Sequence, residues 1–389
     1  MKSERSWGRL DMRFETYSLG ELVSIKYGKN QKKVLSENGA FPIYGTGGLM
    51  GYATKALYDK PSVLIGRKGT IEKIRYVNHP FWTVDTLFYT IVNDNIVIPQ
   101  FLYYAMLQLD LLQYNEGTTI PSLRTETLNR IELRIPNIDN QKRILHYLAT
   151  IDEKIELNTK INENLEQQYL TVIDEKLSNI NDYEIKPLSE VADCQNGRAF
   201  YKDGYDIDGA LVVDLGNVNT SGNFIFTNSD KFISIERYND CKLEKYRVYK
   251  DDLVMVMTDR KSTMKLLGKV GKIYKPGYYL LNQRMYRIRA KKSINANYLY
   301  AFLNSTVVHK VLKEKALGTV QKYVNTGDIN TLEIVIPPPR VMQEISEMIN
   351  PIFLQMENNI LENENLNNLR DTLLPKLMSG EIDVSQVKI

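Results

Sequence analysis

Apolar positions along this chain follow one order twice: short continuous runs, then a long stretch spaced at three and four. The runs at 62–66, 86–92 and 131–135, and again at 211–215, 253–257, 285–288 and 332–336, are strand-sized and rich in β-branched residues, so they predict buried strands. Segments 99–114 and 296–315 predict helices. After Pro136 the spacing lengthens: Ile144, Leu148, Ile151, Ile155, Leu165 and Tyr169 form a ladder in which Asn158 and Asn162 take the missing rungs. After Pro337 the rungs are Ile345, Ile349, Ile352, Met356, Asn359, Asn363, Leu366 and Leu373. Both are coiled-coil seams of about four heptads. Asparagine on a seam lowers stability but restricts register and partner.

The two passes are copies. Leu19-Gly-Glu-Leu-Val-Ser-Ile-Lys-Tyr-Gly-Lys29 matches Leu188-Ser-Glu-Val-Ala-Asp-Cys-Gln-Asn-Gly-Arg198 at an offset of 169. The stretch from Gly117 to Pro136 matches that from Gly318 to Pro337 at an offset of 201, so the second copy carries about 32 extra residues between these landmarks. Ends agree and middles diverge, which fits a shared scaffold bearing two differently tuned recognition regions. The expected fold class is α/β (α+β): two similar mixed domains and two long helices paired as an antiparallel coiled coil, an internal repeat with an approximate two-fold. The boundaries read 1–140, 141–182, 183–339 and 340–389. A length of 389 residues agrees with more than one core.

Net charge is only +3, yet the charges are segregated. Positions 260–292 hold eleven Lys or Arg and no acid, and 22–36 hold four lysines and no acid, so each is a candidate polyanion-binding face. Positions 152–176 hold seven acids against three lysines, the pattern of a solvated helix face. Cys194 and Cys241 support neither a disulfide framework nor zinc, and His79, His146 and His309 have no ligand spacing. With no apolar leader and no stretch of about 20 apolar residues, the chain is expected to be cytoplasmic and without a membrane partner.

Catalytic signatures are missing. An adenine methyltransferase needs a Gly-rich cofactor loop and an Asn/Asp-Pro-Pro-aromatic turn, and the chain's Pro-Pro sequence closes a strand before Arg340. Gly28-Lys29, Gly268-Lys269 and Gly271-Lys272 lack the upstream glycine and following hydroxyl of a phosphate loop. Asp152-Glu153-Lys154 and Asp174-Glu175-Lys176 have a nuclease's residue types but fall on the predicted helix, where a solvated face explains them. No catalytic residue and no metal site is expected.

These residues carry a family likeness. A duplicated unit of variable α/β domain plus coiled-coil helix resembles the specificity (S) subunit of type I restriction-modification systems. The resemblance rests on Tyr44-Gly-Thr-Gly-Gly-Leu-Met-Gly-Tyr52, Val63-Leu-Ile-Gly-Arg-Lys-Gly-Thr70, Pro80-Phe-Trp-Thr-Val-Asp-Thr-Leu-Phe88, Asn196-Gly-Arg-Ala-Phe200, Asp251-Asp-Leu-Val-Met-Val-Met-Thr258 and Leu281-Asn-Gln-Arg284. The closing Leu373-Leu-Pro-Lys-Leu-Met-Ser-Gly-Glu-Ile382 is the most specific match. It implies two target-recognition domains, each reading half of a split double-stranded DNA site, with the helices as spacer. It also implies two modification subunits carrying S-adenosylmethionine, and restriction subunits using ATP and magnesium where the host has them. No cofactor would reside in this chain. About 30 helical residues span roughly 45 Å, or about 13 base pairs, which suits half-sites near one helical turn apart. A stand-alone methyltransferase or nuclease with an unfamiliar site, or a coiled-coil scaffold without DNA, stay open as alternatives at this point.

DNA-contact candidates follow from loops and charge. In the first domain Lys29, Lys32 and Lys33 are phosphate candidates. Arg67 and Lys68 leave a strand into a Gly turn, where reaching a groove and lying on a bland surface are equally open. Tyr44, Thr46, Tyr52 and Arg124 flank Gly-rich or hydroxyl-rich loops. The second-domain set is Arg198, Tyr201, Lys202, Arg260, Lys261, Lys265 and Arg284, with Gln321 and Lys322 standing where Ile120 and Pro121 stand in the first copy.

Overall fold

The computed structural model describes residues 13–200, 204–227, 229–259, 264–319 and 321–384. The chain divides into two units, one running to Ile155 and resuming at Asn365, the other spanning Glu156–Glu364.

In the first unit, strand Phe14–Ser18 pairs antiparallel with Glu132–Pro136, clamping the start of the domain to its end. The backbone N–H and hydroxyl of Ser18 both donate to the Glu21 carboxylate, at 2.7 and 2.6 Å, fixing the short helix Leu19–Leu22 and holding that carboxyl below its usual range. A four-stranded antiparallel sheet follows in the order Val23–Tyr27, Leu87–Val92, Ser62–Gly66, Arg75–Val77. Strand Ser62–Gly66 is interior and buried throughout, which explains its unbroken apolar run. A smaller sheet sets the hairpin strands Gly48–Ala53 and Phe41–Gly45 beside Trp82–Thr83. Val63, Ile65, Phe88 and Phe101 form a core with Ile144 and Leu148 of the first long helix and Leu374 and Leu377 of the second. Gln141, fully buried, accepts from the Ile98 N–H and donates to the Ile96 and Pro136 carbonyls, each at 2.8 Å, so the helix entry leaves none of these polar groups unpaired.

The second unit repeats this order. Glu184–Pro187 pairs with Glu333–Ile336, and the sheet runs Ala192–Asn196, Met285–Ala290, Leu253–Val256, Val270–Lys272. Its second sheet runs Phe232–Ile233, Ala210–Val213, Tyr279–Leu281, Arg247–Val248. The offset between copies is still 169 at Tyr44 and Val213 but 190 at Gly66 and Val256, so most of the extra length enters between these points. It lengthens the connection from Ala210–Val213 to Phe232–Ile233, the counterpart of the Phe41–Gly45 and Gly48–Ala53 hairpin, and adds the helix Ile235–Tyr238 and the turn Cys241–Tyr246.

Two expected helices are corrected. Segment 296–315 is two helices, Ala296–Leu303 and Thr306–Glu314. Asn304 breaks it because its buried side chain accepts from the Val270 N–H at 3.1 Å and donates to the Val270 carbonyl at 2.9 Å, while the Ser305 hydroxyl caps the next turn. Segment 99–114 is helix Pro99–Leu107 followed by a 3₁₀ turn, Leu111–Tyr114, capped by Asp110.

The long helices are Ile138–Ser178 and Pro339–Ser379, 41 residues each. Within the second unit they run antiparallel: Lys176 meets Glu344 at 3.2 Å, the Tyr169 and Phe353 rings lie 4.8 Å apart, and the Asn359 amide donates to the Asn162 carbonyl at 2.7 Å. Asn158 donates to Asn363 at 2.9 Å and to Glu362 at 2.7 Å. Within the first unit Arg370 meets Asp152 at 3.0 Å, and Asp152 also accepts the Tyr104 hydroxyl. The seam asparagines predicted from sequence thus bond across the helix pair. Among the described residues no helix is long and apolar enough to cross a membrane.

Candidate nucleic-acid interface

In the first unit, residues 84–86 turn from strand Trp82–Thr83 into Leu87–Val92, and separate loops are tied to this corner by their backbones. Gly28 N–H donates to Leu87 O at 3.0 Å and Lys29 N–H to Thr83 O at 2.8 Å. Val84 N–H donates to Tyr44 O at 3.0 Å, Leu87 N–H to Val84 O at 3.0 Å, and Arg67 N–H to Thr86 O at 2.9 Å. Leu123 N–H closes the set on Arg67 O at 3.0 Å. Gly28 is required by this approach, since a Cβ there would sit 2.0 Å from the Val84 carbonyl oxygen.

The corner gathers several candidates. The Arg67 guanidinium donates to the Asp85 carbonyl at 2.9 Å and lies 5.0 Å from the Tyr27 ring centre. Lys68 is exposed and its backbone bridges to Ser122. Lys29 is exposed, with its carbonyl taking the Trp82 indole N–H at 2.8 Å. Tyr44 is half-buried under Arg75, 5.3 Å away, and its hydroxyl lies 3.2 Å from His79 Nε2. Burial raises the Tyr44 phenol above its ordinary pKa. Arg124 pairs with Glu116 at 3.1 Å, so its cation is partly answered within the protein. Lys32 and Lys33 are exposed in the next turn, and Thr46 and Tyr52 sit in the hairpin that starts at Tyr44's strand.

The second unit builds the same corner from other residues. Gly197 N–H donates to Met285 O at 3.1 Å, Arg198 to Leu281 O at 2.9 Å, Asn282 to Val213 O at 3.0 Å, Met285 to Asn282 O at 3.0 Å, Met257 to Arg284 O at 3.0 Å and Val324 to Met257 O at 3.0 Å. Each bond has its counterpart above, within 0.1 Å. A Cβ on Gly197 would stand 1.7 Å from Asn282 O. The side chains carried on this frame differ: Lys29 becomes Arg198, Tyr44 becomes Val213, Arg67 and Lys68 become Met257 and Thr258, Asp85 becomes Gln283, and Thr86 becomes Arg284.

Of the second-domain candidates, Arg198 and Arg284 reach the corner, and Lys322 pairs through its strand with Asp259, beside Gln321. Lys265 is exposed in a turn whose Leu266 N–H donates to Asp259 at 2.9 Å. Tyr201, Lys202, Arg260 and Lys261 lie outside the described residues. The basic block 260–292 is not one face. Lys269 pairs with Glu166, Lys272 with Glu357, Lys275 with Glu364, Arg287 with Asp193 and Arg289 with Asp252. Apart from Asp252, which closely precedes the block, those acids come from distant sequence, so the run looked unopposed only when read linearly. Tyr27, Arg75, His79, Asp85 and Gln283 also stand at or beside the two corners without being sequence candidates; as isolated turn and strand residues they carry no signal of their own.

The sequence profile of the type I restriction modification DNA specificity domain matches residues 12–167 and again 180–368. The type I restriction enzyme MjaIX specificity subunit of Methanocaldococcus jannaschii is 25% identical over 364 residues, covering 85% of this chain and 80% of that protein. The HindI specificity subunit of Haemophilus influenzae is 24% identical over 378 residues, covering 77% and 81%. The crystal structure of the type I restriction-modification S subunit from M. genitalium aligns over 95% of this chain and 97% of that one with a TM-score of 0.55. At 15% identity that likeness is one of fold.

Proposed function

The chain belongs to the type I restriction modification DNA specificity family, and on that premise we propose that each unit reads its own half of a two-part, asymmetric duplex site. Recognition of DNA sequence is its role, exercised in a complex with methylase and restriction subunits. The comparisons lend no support to a stand-alone methyltransferase or nuclease or to a scaffold without DNA. We assign two modification subunits to the complex, and assign methyl transfer from S-adenosylmethionine and ATP- and magnesium-dependent cleavage to the partners, leaving this chain non-catalytic. The cytoplasm is the expected place for such work.

The observation that carries the two-reader proposal is the duplicated corner. Six backbone bonds repeat while the side chains they present change type. A rigid frame with exchanged side chains is what two readers of different sequence need, because phosphate contacts set register while base-edge contacts set sequence. Lys29, Lys32, Lys33, Lys68 and Lys265 are then phosphate contacts, and Tyr44, Thr46, Tyr52, Arg67, Arg124, Arg198, Arg284, Gln321 and Lys322 are placed along the groove. Tyr201, Lys202, Arg260 and Lys261 keep their assignment from sequence. The test is an exchange of residues 190–317 for the matching region of a relative, read by methylome sequencing. One half of the methylated site should change and the other stay. Joint change of both halves would refute independent reading.

A further inference from the structure

Asp85 and Gln283 occupy the same apex of the duplicated corner, between the residues whose backbones are fixed by Tyr44 and Arg67 in one unit and by Val213 and Met257 in the other. Both side chains are exposed, and among the described residues neither has a hydrogen-bond or ionic partner. Their backbones are strongly held all the same. Arg67 directs its guanidinium to the Asp85 carbonyl at 2.9 Å, leaving the carboxylate unpaired, and the Gln283 N–H donates to Asn282 Oδ1 at 2.7 Å. An unpaired carboxylate on the corner that also carries Lys29, Arg67 and Lys68 is costly on a surface that meets phosphates, since it repels them. That cost is offset only if the carboxylate has a donor to meet on the DNA.

We propose that Asp85 and Gln283 are equivalent specificity-determining residues, Asp85 reading a cytosine and Gln283 an adenine, each in its own half-site. In the major groove the cytosine N4 amine is a donor, which an acceptor-only carboxylate matches. Adenine offers the N6 donor beside the N7 acceptor, and a carboxamide meets both at once. The same comparison explains why the corner can be rigid yet variable: one side-chain exchange at the apex, carboxylate for carboxamide, changes the hydrogen-bond code while the backbone bonds of the frame are kept.

This assignment rests on the reading that each unit recognises one half-site. It is tested with the assembled methyltransferase carrying Asp85→Asn or Gln283→Glu, with wild type in parallel, by methylome sequencing and by competition binding against duplexes that place each base pair at every motif position. Both exchanges preserve shape, and unchanged thermal midpoints would establish folding. Asp85→Asn should shift one C·G preference toward A·T by about tenfold or more in the first unit's half-site alone, and Gln283→Glu should do the reverse in the other half. Competition binding reads this shift even where methylation is lost. Unchanged base preference in both variants, or change spread over both halves, would overturn the assignment while leaving half-site reading intact. A wild-type complex without a defined two-part site would instead overturn the reading beneath it.

Discussion

The Asn359 amide donates to the Asn162 carbonyl at 2.7 Å, and both side chains are no more than 5% exposed. Asn162 in turn donates to the Met356 carbonyl at 3.2 Å, and Asn359 accepts from Gln355 at 2.8 Å. A bonded polar pair inside an apolar seam holds one register, because sliding either helix would leave a buried amide unpaired.

Replacing one member exposes that dependence. Asn359→Leu should lower unfolding stability by about 1–3 kcal/mol, since Asn162 keeps a buried carbonyl without its donor. The double variant Asn162→Leu with Asn359→Leu should recover most of the loss. Urea titration of the four proteins of this cycle is the measurement, and a double variant as weak as the sum of the singles would deny the coupling.

The corner glycines should behave alike in both units. Gly28→Ala and Gly197→Ala each place a Cβ against backbone carbonyl oxygen, at 2.0 and 1.7 Å, where no side chain can swing away. Each should lower stability by roughly 1–3 kcal/mol and blunt recognition of one half-site. Thermal unfolding with methylome sequencing would show it, and a neutral outcome at either position would mean that the frame is softer than its geometry.

Phosphate contact has a salt signature. Lys68→Ala and Lys29→Ala should each weaken binding to all duplexes alike and reduce the slope of log affinity against log salt by about one. Lys272→Ala should leave that slope unchanged, because its ammonium is engaged by Glu357 at 2.6 Å. Titrations on random and cognate duplex at several salt concentrations distinguish the two groups.

Acid sensitivity should centre on His309. Its Nε2 is buried and, among the described residues, unpartnered; burial, with Lys269 and Lys313 nearby, pushes its pKa down to about 4. The unfolded chain takes up this proton near pH 6.5. Stability is therefore fully present above about pH 6.5 and declines as pH falls toward 4, by roughly 2 kcal/mol after allowing for partial exposure. Glu166, whose carboxyl is raised by burial, acts in the opposite direction and stays constant in the comparison. His309→Gln should flatten the decline, measured by unfolding at pH 7, 6, 5 and 4.5; an equally steep loss would assign it elsewhere.

The sequence by itself determined the repeat, the strand and helix types, the two long helices and the asparagine ladder. Each rests on local spacing, and spacing survives in one dimension: Asn158 and Asn162 fall on the same seam as Ile144 and Leu148 whatever else the chain does. Only the tertiary structure decided which residues meet at the corner. Between copies the offset drifts from 169 at Gly28 and Gly197 to 190 at Arg67 and Met257, to 198 at Leu87 and Met285, and to 201 at Leu123 and Val324, so no single alignment register equates Asp85 with Gln283. Backbone hydrogen bonds between distant loops restore the equivalence that insertions erased. The same non-local pairing answered Lys269, Lys272, Lys275 and Arg287 of the basic run at 260–292, since Glu166, Glu357, Glu364 and Asp193 are far from them in sequence and adjacent in space. Periodicity is set by neighbours along the chain, whereas chemistry at the corner is set by neighbours across it.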